Sequence, residues 1–137
     1  MKFIVPVLAL FLACATAREH PPTAEDLVRI ETAHIRLLAE NQYAQQLRNQ
    51  GRDDLVRLVA EAMTTRSRTA RKGLLISTGA LLRQRPFPSS TYCQLYMVTR
   101  ALDDYRFTKS FGEVFNRAIS DPDPKYDDII ERFDAQE

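Results

Sequence analysis

The sequence predicts an all-α protein, a small single-domain helical bundle of about four to five helices. Apolar residues recur at alternating steps of three and four along each long segment, which is the period of an amphipathic helix. No long segment keeps the strict alternation of apolar and polar residues that is typical of a half-buried strand. The chain of 137 residues also has the length of one domain.

The first residues contain the three parts of a secretory signal peptide in the usual order. Lys2 supplies a positive charge, residues 3–13 form an apolar run, and a cleavage site of small residues ends at Ala17. The apolar run is shorter than the roughly 20 residues that a membrane-spanning helix needs. The sequence therefore predicts that residues 1–17 are cleaved, and that the mature protein is secreted and extracellular with no membrane span.

The mature chain is expected to have a short lead followed by the helical domain. Residues 18–22 contain two prolines and no apolar residue, so we expect them to be disordered, whereas residues 23–137 form the domain. A first helix is predicted to begin after Thr23, with acidic residues in its first turn. It is predicted to end before Gly51, a residue suited to a helix stop. Its apolar stripe contains Leu27, Ile30, His34, Leu37, Asn41 and Ala44, and Ile35 and Leu38 widen it.

The middle of the domain allows two helical interpretations. Residues 53–84 fit one long helix, and they fit equally well two helices that are broken near Gly73. Prolines end this region, because proline lacks a backbone donor and restricts the residue before it. The next element begins near Ser89 and keeps helical spacing to Tyr105. Its aromatic and β-branched residues also suit a strand, but the pattern is too long for a typical one.

Two further helices are predicted in the C-terminal third. Ser110 and Glu113 have the spacing of a capping box, which indicates a helix start. Asp123 is suited to cap the last helix, with Pro124 at the first helical position, where proline is well tolerated. The apolar side of this last helix contains Tyr126, Ile129, Ile130 and Phe133.

The charge distribution excludes one class of partner and suggests an internal pairing. Without Lys2 the numbers of basic and acidic residues are equal, so specific binding of nucleic acid is not expected. Residues 62–102 contain seven basic residues and no acidic one, whereas residues 103–137 are acidic. We therefore expect the basic middle of the chain to pair with its acidic end.

One cysteine remains after removal of the signal peptide. Cys14 leaves with the signal, so the mature chain has Cys93 alone and no disulfide framework. Cys93 is a candidate for an intermolecular disulfide, because secreted proteins meet an oxidising environment. However, Cys93 lies beside tyrosines at the edge of a predicted apolar stripe. This position favours a buried thiol, and a monomer over a disulfide-linked dimer.

No residue pattern indicates catalysis. Glu31 and His34 have the Glu-x-x-His spacing of di-iron helical bundles, but the chain has no second pair of this kind. His34 and Cys93 would form a base and nucleophile only if the fold brought them together, and no local motif surrounds Cys93. We therefore expect a protein that is not an enzyme and that has no cofactor or metal.

The densest charge cluster is a basic segment at residues 66–72. It is a candidate site for an anionic partner such as a heparan-type glycan, phospholipid or nucleic acid. It is also a candidate processing site, because paired basic residues are typical of proprotein cleavage. The favoured interpretation is a solvated helix face that pairs with the acidic third and makes only weak contact with anionic glycans. Its residues are Arg66, Arg68, Arg71 and Lys72.

These observations favour a small secreted, non-enzymatic helical protein that acts by binding another macromolecule, with a protein as the expected partner. Two alternatives stay open. The first is an extracellular carrier of a small apolar ligand, because such sites occur between helices. The second is a precursor that is cleaved in the basic segment.

Overall fold

The structure is a computed structural model that describes residues 21–65, 68–84 and 88–136. All the regular secondary structure of these residues is helical, which confirms the prediction of an all-α protein. The predicted signal peptide at residues 1–17 lies outside the described residues.

The described residues form seven α-helices, more than the four or five that the sequence predicts. One extra helix arises from a break at Asn41 that the periodicity of the apolar residues does not show. Another arises because residues 53–84 form two helices, the first ending at Thr65 and the second beginning at Arg68. The helices are α1 (Ala24–Glu40), α2 (Gln42–Asn49), α3 (Asp53–Thr65), α4 (Arg68–Arg83), α5 (Ser89–Thr99), α6 (Tyr105–Ser120) and α7 (Asp127–Ala135), with a 3-10 turn at Arg100–Leu102.

The start of α1 is the one that the sequence predicts. The side chain of Thr23 accepts a hydrogen bond from the amide of Asp26 at 3.1 Å. In return, the carboxylate of Asp26 accepts one from the amide of Thr23 at 3.1 Å. This reciprocal capping box satisfies two backbone donors that have no partner within the helix. The hydrogen bonds from Thr23 also hold the pKa of Asp26 below its ordinary value.

Asn41 divides the predicted first helix into α1 and α2. Its backbone is extended, with φ −114° and ψ 113°. Its side-chain oxygen accepts hydrogen bonds from the amides of Tyr43 at 2.9 Å and Ala44 at 3.2 Å, so it caps α2. The apolar stripe continues across this break, and the periodicity therefore predicts one helix. After α2, Gly51 takes the left-handed conformation with φ 77°, as the sequence predicts.

The boundary between α5 and α6 also differs from the prediction. Asp103 has a left-handed backbone with φ 50°, and the carboxylate of Asp104 accepts a hydrogen bond from the amide of Phe107 at 3.1 Å. The sequence predicts helical spacing from about Ser89 to Tyr105, and the prediction of one continuous helix is wrong for the residues after α5. The predicted helix start at Ser110 is also wrong, because Ser110 is buried inside α6. Asp104 is the actual cap, and the capping-box spacing at Ser110 is incidental.

Two more boundaries differ from the prediction. Gly73 is helical within α4, so the predicted break near Gly73 is wrong. Residues 66–67, which follow α3 and precede α4, lie outside the described residues. The last helix begins at Asp127 and not directly after Asp123. The amide of Asp123 donates to the carboxylate of Asp121 at 2.9 Å, and this local turn competes with a helix start.

Helix packing builds the core. α1 packs chiefly against α3, α2 packs against α3 and α5, and α4 packs against α6 and α7. Between α5 and α6 the rings of Tyr92 and Phe115 stack with their centroids 3.6 Å apart. Complete burial of a large apolar side chain stabilises the fold by about 1.5–3 kcal/mol. The largest fully buried side chains include Phe107, Phe111, Leu47, Leu55, Leu74, Leu75, Leu95 and Ile129.

Candidate functional site

An open pocket of about 500 Å³ lies between α4, the start of α6 and α7. A neighbouring pocket of about 460 Å³ shares Arg71 and Asp103 with it. The first pocket, which we call the arginine pocket, has a mostly charged wall. Its lining residues are Arg68, Arg71, Asp103, Asp104, Tyr105, Arg106 and Phe133.

Two residues of the basic segment form ion pairs with the acidic third. Arg71 Nη1 lies 2.7 Å from Asp104 Oδ2, and both side chains are about four-fifths buried, with 20% and 19% exposed. Lys72 Nζ lies 2.9 Å from Asp134 Oδ2. The hydrogen bond from Lys72 holds the pKa of Asp134 below its ordinary value. The expected pairing between the basic middle and the acidic end is therefore confirmed for these two residues.

Arg68 contacts the same end of the chain in a different way, and Arg66 lies outside the described residues. Arg68 Nη2 donates a hydrogen bond to the backbone carbonyl of Phe133. Its guanidinium carbon lies 5.2 Å from the centroid of the Phe133 ring, a cation–π arrangement. At the start of α6, Arg106 Nη1 donates to the carbonyl of Gln136 at 3.0 Å.

His34 joins α1 to α3 and is largely buried. Its Nε2 lies 2.8 Å from Asp53 Oδ1, and its Nδ1 lies 4.0 Å from Glu31 Oε1. The other carboxylate oxygen of Glu31 accepts a hydrogen bond from Arg57 Nη1 at 2.8 Å. The Glu-x-x-His spacing thus serves helix packing here. Among the residues that the structure describes, no three His, Cys, Asp or Glu side chains come together to hold a metal ion.

Cys93 is exposed on α5, so the prediction of a buried thiol is wrong. Position 93 follows the buried Tyr92 by about 100° around the helix axis. That rotation carries the side chain past the edge of the stripe, and the neighbouring tyrosines do not cover it. Cys93 has no disulfide partner in the described part of the chain.

One face of α1 leaves large apolar side chains exposed. Leu27 is 47% exposed, Val28 is 66% exposed and Ile35 is 59% exposed. The sequence predicts that Leu27 and Ile35 belong to the apolar packing stripe. Both assignments are wrong, because the buried residues of α1 are Ile30, His34 and Leu37. The signal for the second face was present in the spacing of Val28 and Ile35, which are separated by two helical turns.

The sequence did not predict the other five residues that line the arginine pocket, which are Asp103, Asp104, Tyr105, Arg106 and Phe133. They lie more than 30 positions after Arg71 along the chain, and no motif links them to the basic segment. Only the fold brings them together.

None of the described helices combines the length and the apolar character that crossing a membrane requires. Comparison with known proteins gives the chain no relative: no family model matches it, and no curated protein or solved structure is significantly similar to it. The candidates for function are therefore the surfaces of the chain itself, namely the arginine pocket and the exposed face of α1.

Proposed function

We propose that this chain is a small secreted, non-enzymatic protein that acts by binding another protein through the exposed apolar face of α1. The observation that carries the proposal is the exposure of Leu27, Val28 and Ile35 on one helix. α1 already buries Ile30 and Leu37 against the rest of the fold. Single exposed apolar residues are normal, but several on one helix face are typical of an interaction site.

The spacing on this face suits a helical partner. Val28, Glu31, Ile35 and Leu38 follow steps of three, four and three, which is the spacing of a coiled-coil seam, and Leu38 at its end is partly buried against the core. The one charge on the seam is compensated, because Glu31 is hydrogen-bonded to Arg57 at 2.8 Å. α1 has 17 residues and is therefore about 25 Å long, enough to accept an amphipathic helix along its length.

Secretion is supported by the sequence of the signal-like N-terminus. N-terminal sequencing of the released protein is expected to begin at Arg18, and an intact Met1 would contradict secretion by this route.

The binding proposal is tested by site-specific crosslinking in the native extracellular fluid. A photoreactive residue at Ile35 is expected to give one discrete adduct with a protein. The same residue at Ile119, which is 66% exposed on α6, serves as the matched control and gives none. The double variant Val28→Gln and Ile35→Gln should abolish a crosslink made from Leu27. Both positions are exposed, so this variant should stay folded.

Two outcomes would contradict the proposal. The first is equal crosslinking from Ile35 and Ile119. The second is association of the chain with lipid vesicles that the double variant abolishes, because it would assign this face to a membrane surface.

The two alternatives have less support. Five of the seven residues that line the arginine pocket are charged, whereas the site of a carrier for an apolar ligand is lined predominantly by apolar residues. Arg68, Arg71 and Lys72 lie in helix α4. Proteases prefer exposed loops, and a helical, ion-paired site is therefore a poor site for cleavage.

A further inference from the structure

We propose that the arginine pocket binds a small organic molecule with a single negative charge, held by Arg68, Arg71 and Arg106. This site is separate from the exposed face of α1 and would give the protein a second ligand of a different chemical class. Three features of the pocket support this assignment: unused hydrogen-bond donors, two arginines held in fixed positions, and the net charge and size of the pocket.

The pocket wall has more donors than acceptors. A guanidinium group has five N–H donors. Arg68 donates to the carbonyl of Phe133, and Arg71 donates to the carboxylate of Asp104. The Nε atoms of both arginines are buried and have no acceptor. These enclosed Nε atoms are out of reach of a ligand in the pocket. The donors available to the oxygens of an anion are the terminal N–H groups that Arg68 and Arg71 do not use within the protein.

Contacts within the protein hold two of the arginines in place before any ligand arrives. Arg68 is fixed by the Phe133 carbonyl and by the ring of Phe133, 5.2 Å away. Arg71 is fixed by Asp104, whose own position is set because it caps α6. Side chains that are already ordered lose little entropy on binding, which favours affinity for a small ligand.

The charges of the wall indicate how much negative charge the ligand has. Three arginines and two aspartates line the pocket, which leaves one net positive charge. A monoanion would balance this charge, whereas a dianion would place excess negative charge near Asp103 and Asp104. The same balance explains why a polyanion such as heparin is a poor match for this site.

The size of the pocket indicates a molecule larger than an inorganic ion. Its volume of about 500 Å³ is within the usual range for small-molecule sites, about 300–1,000 Å³. Tyr105, at 80% exposed, offers a ring against which a flat organic body could stack. The ligand class that fits is therefore a carboxylate or sulfate ester on a flat organic body.

Three coumarin probes that share one ring system test this proposal by isothermal titration calorimetry with the chain as cells release it. They are 4-methylumbelliferyl sulfate with one negative charge, 4-methylumbelliferyl phosphate, and the uncharged 7-methoxy-4-methylcoumarin. At mildly alkaline pH the phosphate is a dianion. We expect the sulfate to bind roughly tenfold more tightly than the neutral ether, and more tightly than the phosphate.

Two variants locate the binding. Arg106→Gln removes one positive charge from an exposed position and should weaken binding of the sulfate about fivefold or more. Asp103→Asn removes one negative charge, and asparagine tolerates the left-handed backbone of this position. It should therefore increase the affinity for the phosphate relative to the sulfate, a gain that unfolding cannot produce.

Two control variants should leave the affinities unchanged. Asp123→Asn removes a distant exposed carboxylate, and Val28→Gln removes an apolar contact from α1. Equal affinity for the sulfate and the neutral ether would overturn the proposal, as would unchanged binding in Arg106→Gln. The absence of measurable heat at millimolar sulfate would overturn it as well.

Discussion

The same substitution at two glycines of α4, Gly73→Ala and Gly79→Ala, is expected to have different effects on stability. A Cβ atom added at Gly79 would lie 2.8 Å from Cδ2 and 3.2 Å from Cε2 of Tyr126, whereas one added at Gly73 meets nothing within 4 Å. The ring of Tyr126 is buried and lies under the guanidinium of Arg83, at 5.4 Å. Since the ring has little room to move, Gly79→Ala must strain the contact between α4 and the start of α7.

The magnitude follows from two opposing effects. Replacing a helical glycine with alanine raises the free energy of unfolding by about 0.5–1 kcal/mol in both variants. Overpacking against Tyr126 lowers it by about 1–3 kcal/mol in Gly79→Ala alone. The gain in helix propensity cancels in the comparison of the two variants. Their difference in unfolding free energy should therefore be the steric cost, about 1–3 kcal/mol.

Urea and thermal unfolding at neutral pH measure this difference. For a domain of this size the melting temperature changes by about 3–5 °C for each kcal/mol. Gly73→Ala should melt above the wild type, and Gly79→Ala should melt below Gly73→Ala by at least that amount. Equal stabilisation by both substitutions would refute the reasoning, because it would show that the Tyr126 ring moves aside without cost.

Three further predictions concern charge and the exposed thiol. Hydrogen bonds from Arg117 and Lys72 lower the pKa of Asp128 and Asp134 below 3.8 in the folded state. The stability that these two ionised carboxylates give to the folded protein should be fully present above about pH 4. It should be lost as the pH falls through their pKa values in the folded state. Asp134→Asn should reduce this acid sensitivity of the urea midpoint, and unchanged sensitivity would argue against the pair with Lys72. Cys93 should react with a thiol reagent in the native protein as fast as in urea, and slow native reaction would contradict its exposure. Heparin should retain the chain weakly and release it at low salt, because Arg71 and Lys72 are paired; retention at moderate salt would contradict this.

The helical class could be predicted from the sequence because burial imposes a period on each helix. The positions at which the helices begin and end could not be predicted in the same way. At Asn41 and at Asp103 the chain changes direction through backbone conformation and side-chain caps, while apolar residues on both sides keep helical spacing. A cap is a local hydrogen bond, and several polar residues in the chain could form one. Only the packing decides which of them does.

The pairing of the basic segment could also be predicted, because opposite charges in two segments attract whatever the exact geometry. The pocket could not be predicted, because it depends on the fold bringing Asp103 and Arg106 to the same pocket as Arg68. The exposure of Leu27 was missed for a related reason. When the apolar stripe of a helix is wider than the face that packs, the sequence alone does not show which edge of the stripe contacts α3.

The two proposed sites should be energetically independent because they lie on different helices of the fold. The face for a protein partner is on α1, which packs chiefly against α3, whereas the arginine pocket is formed by α4, α6 and α7. Mutations at sites without shared partners usually have additive effects, within about 0.3–0.5 kcal/mol. Arg106→Gln should therefore leave the crosslink at Ile35 intact, and Val28→Gln should leave the affinity for the sulfate probe intact. If either variant changed both measurements, a shared conformational change would have to connect α1 with α4, and the two proposals would become one.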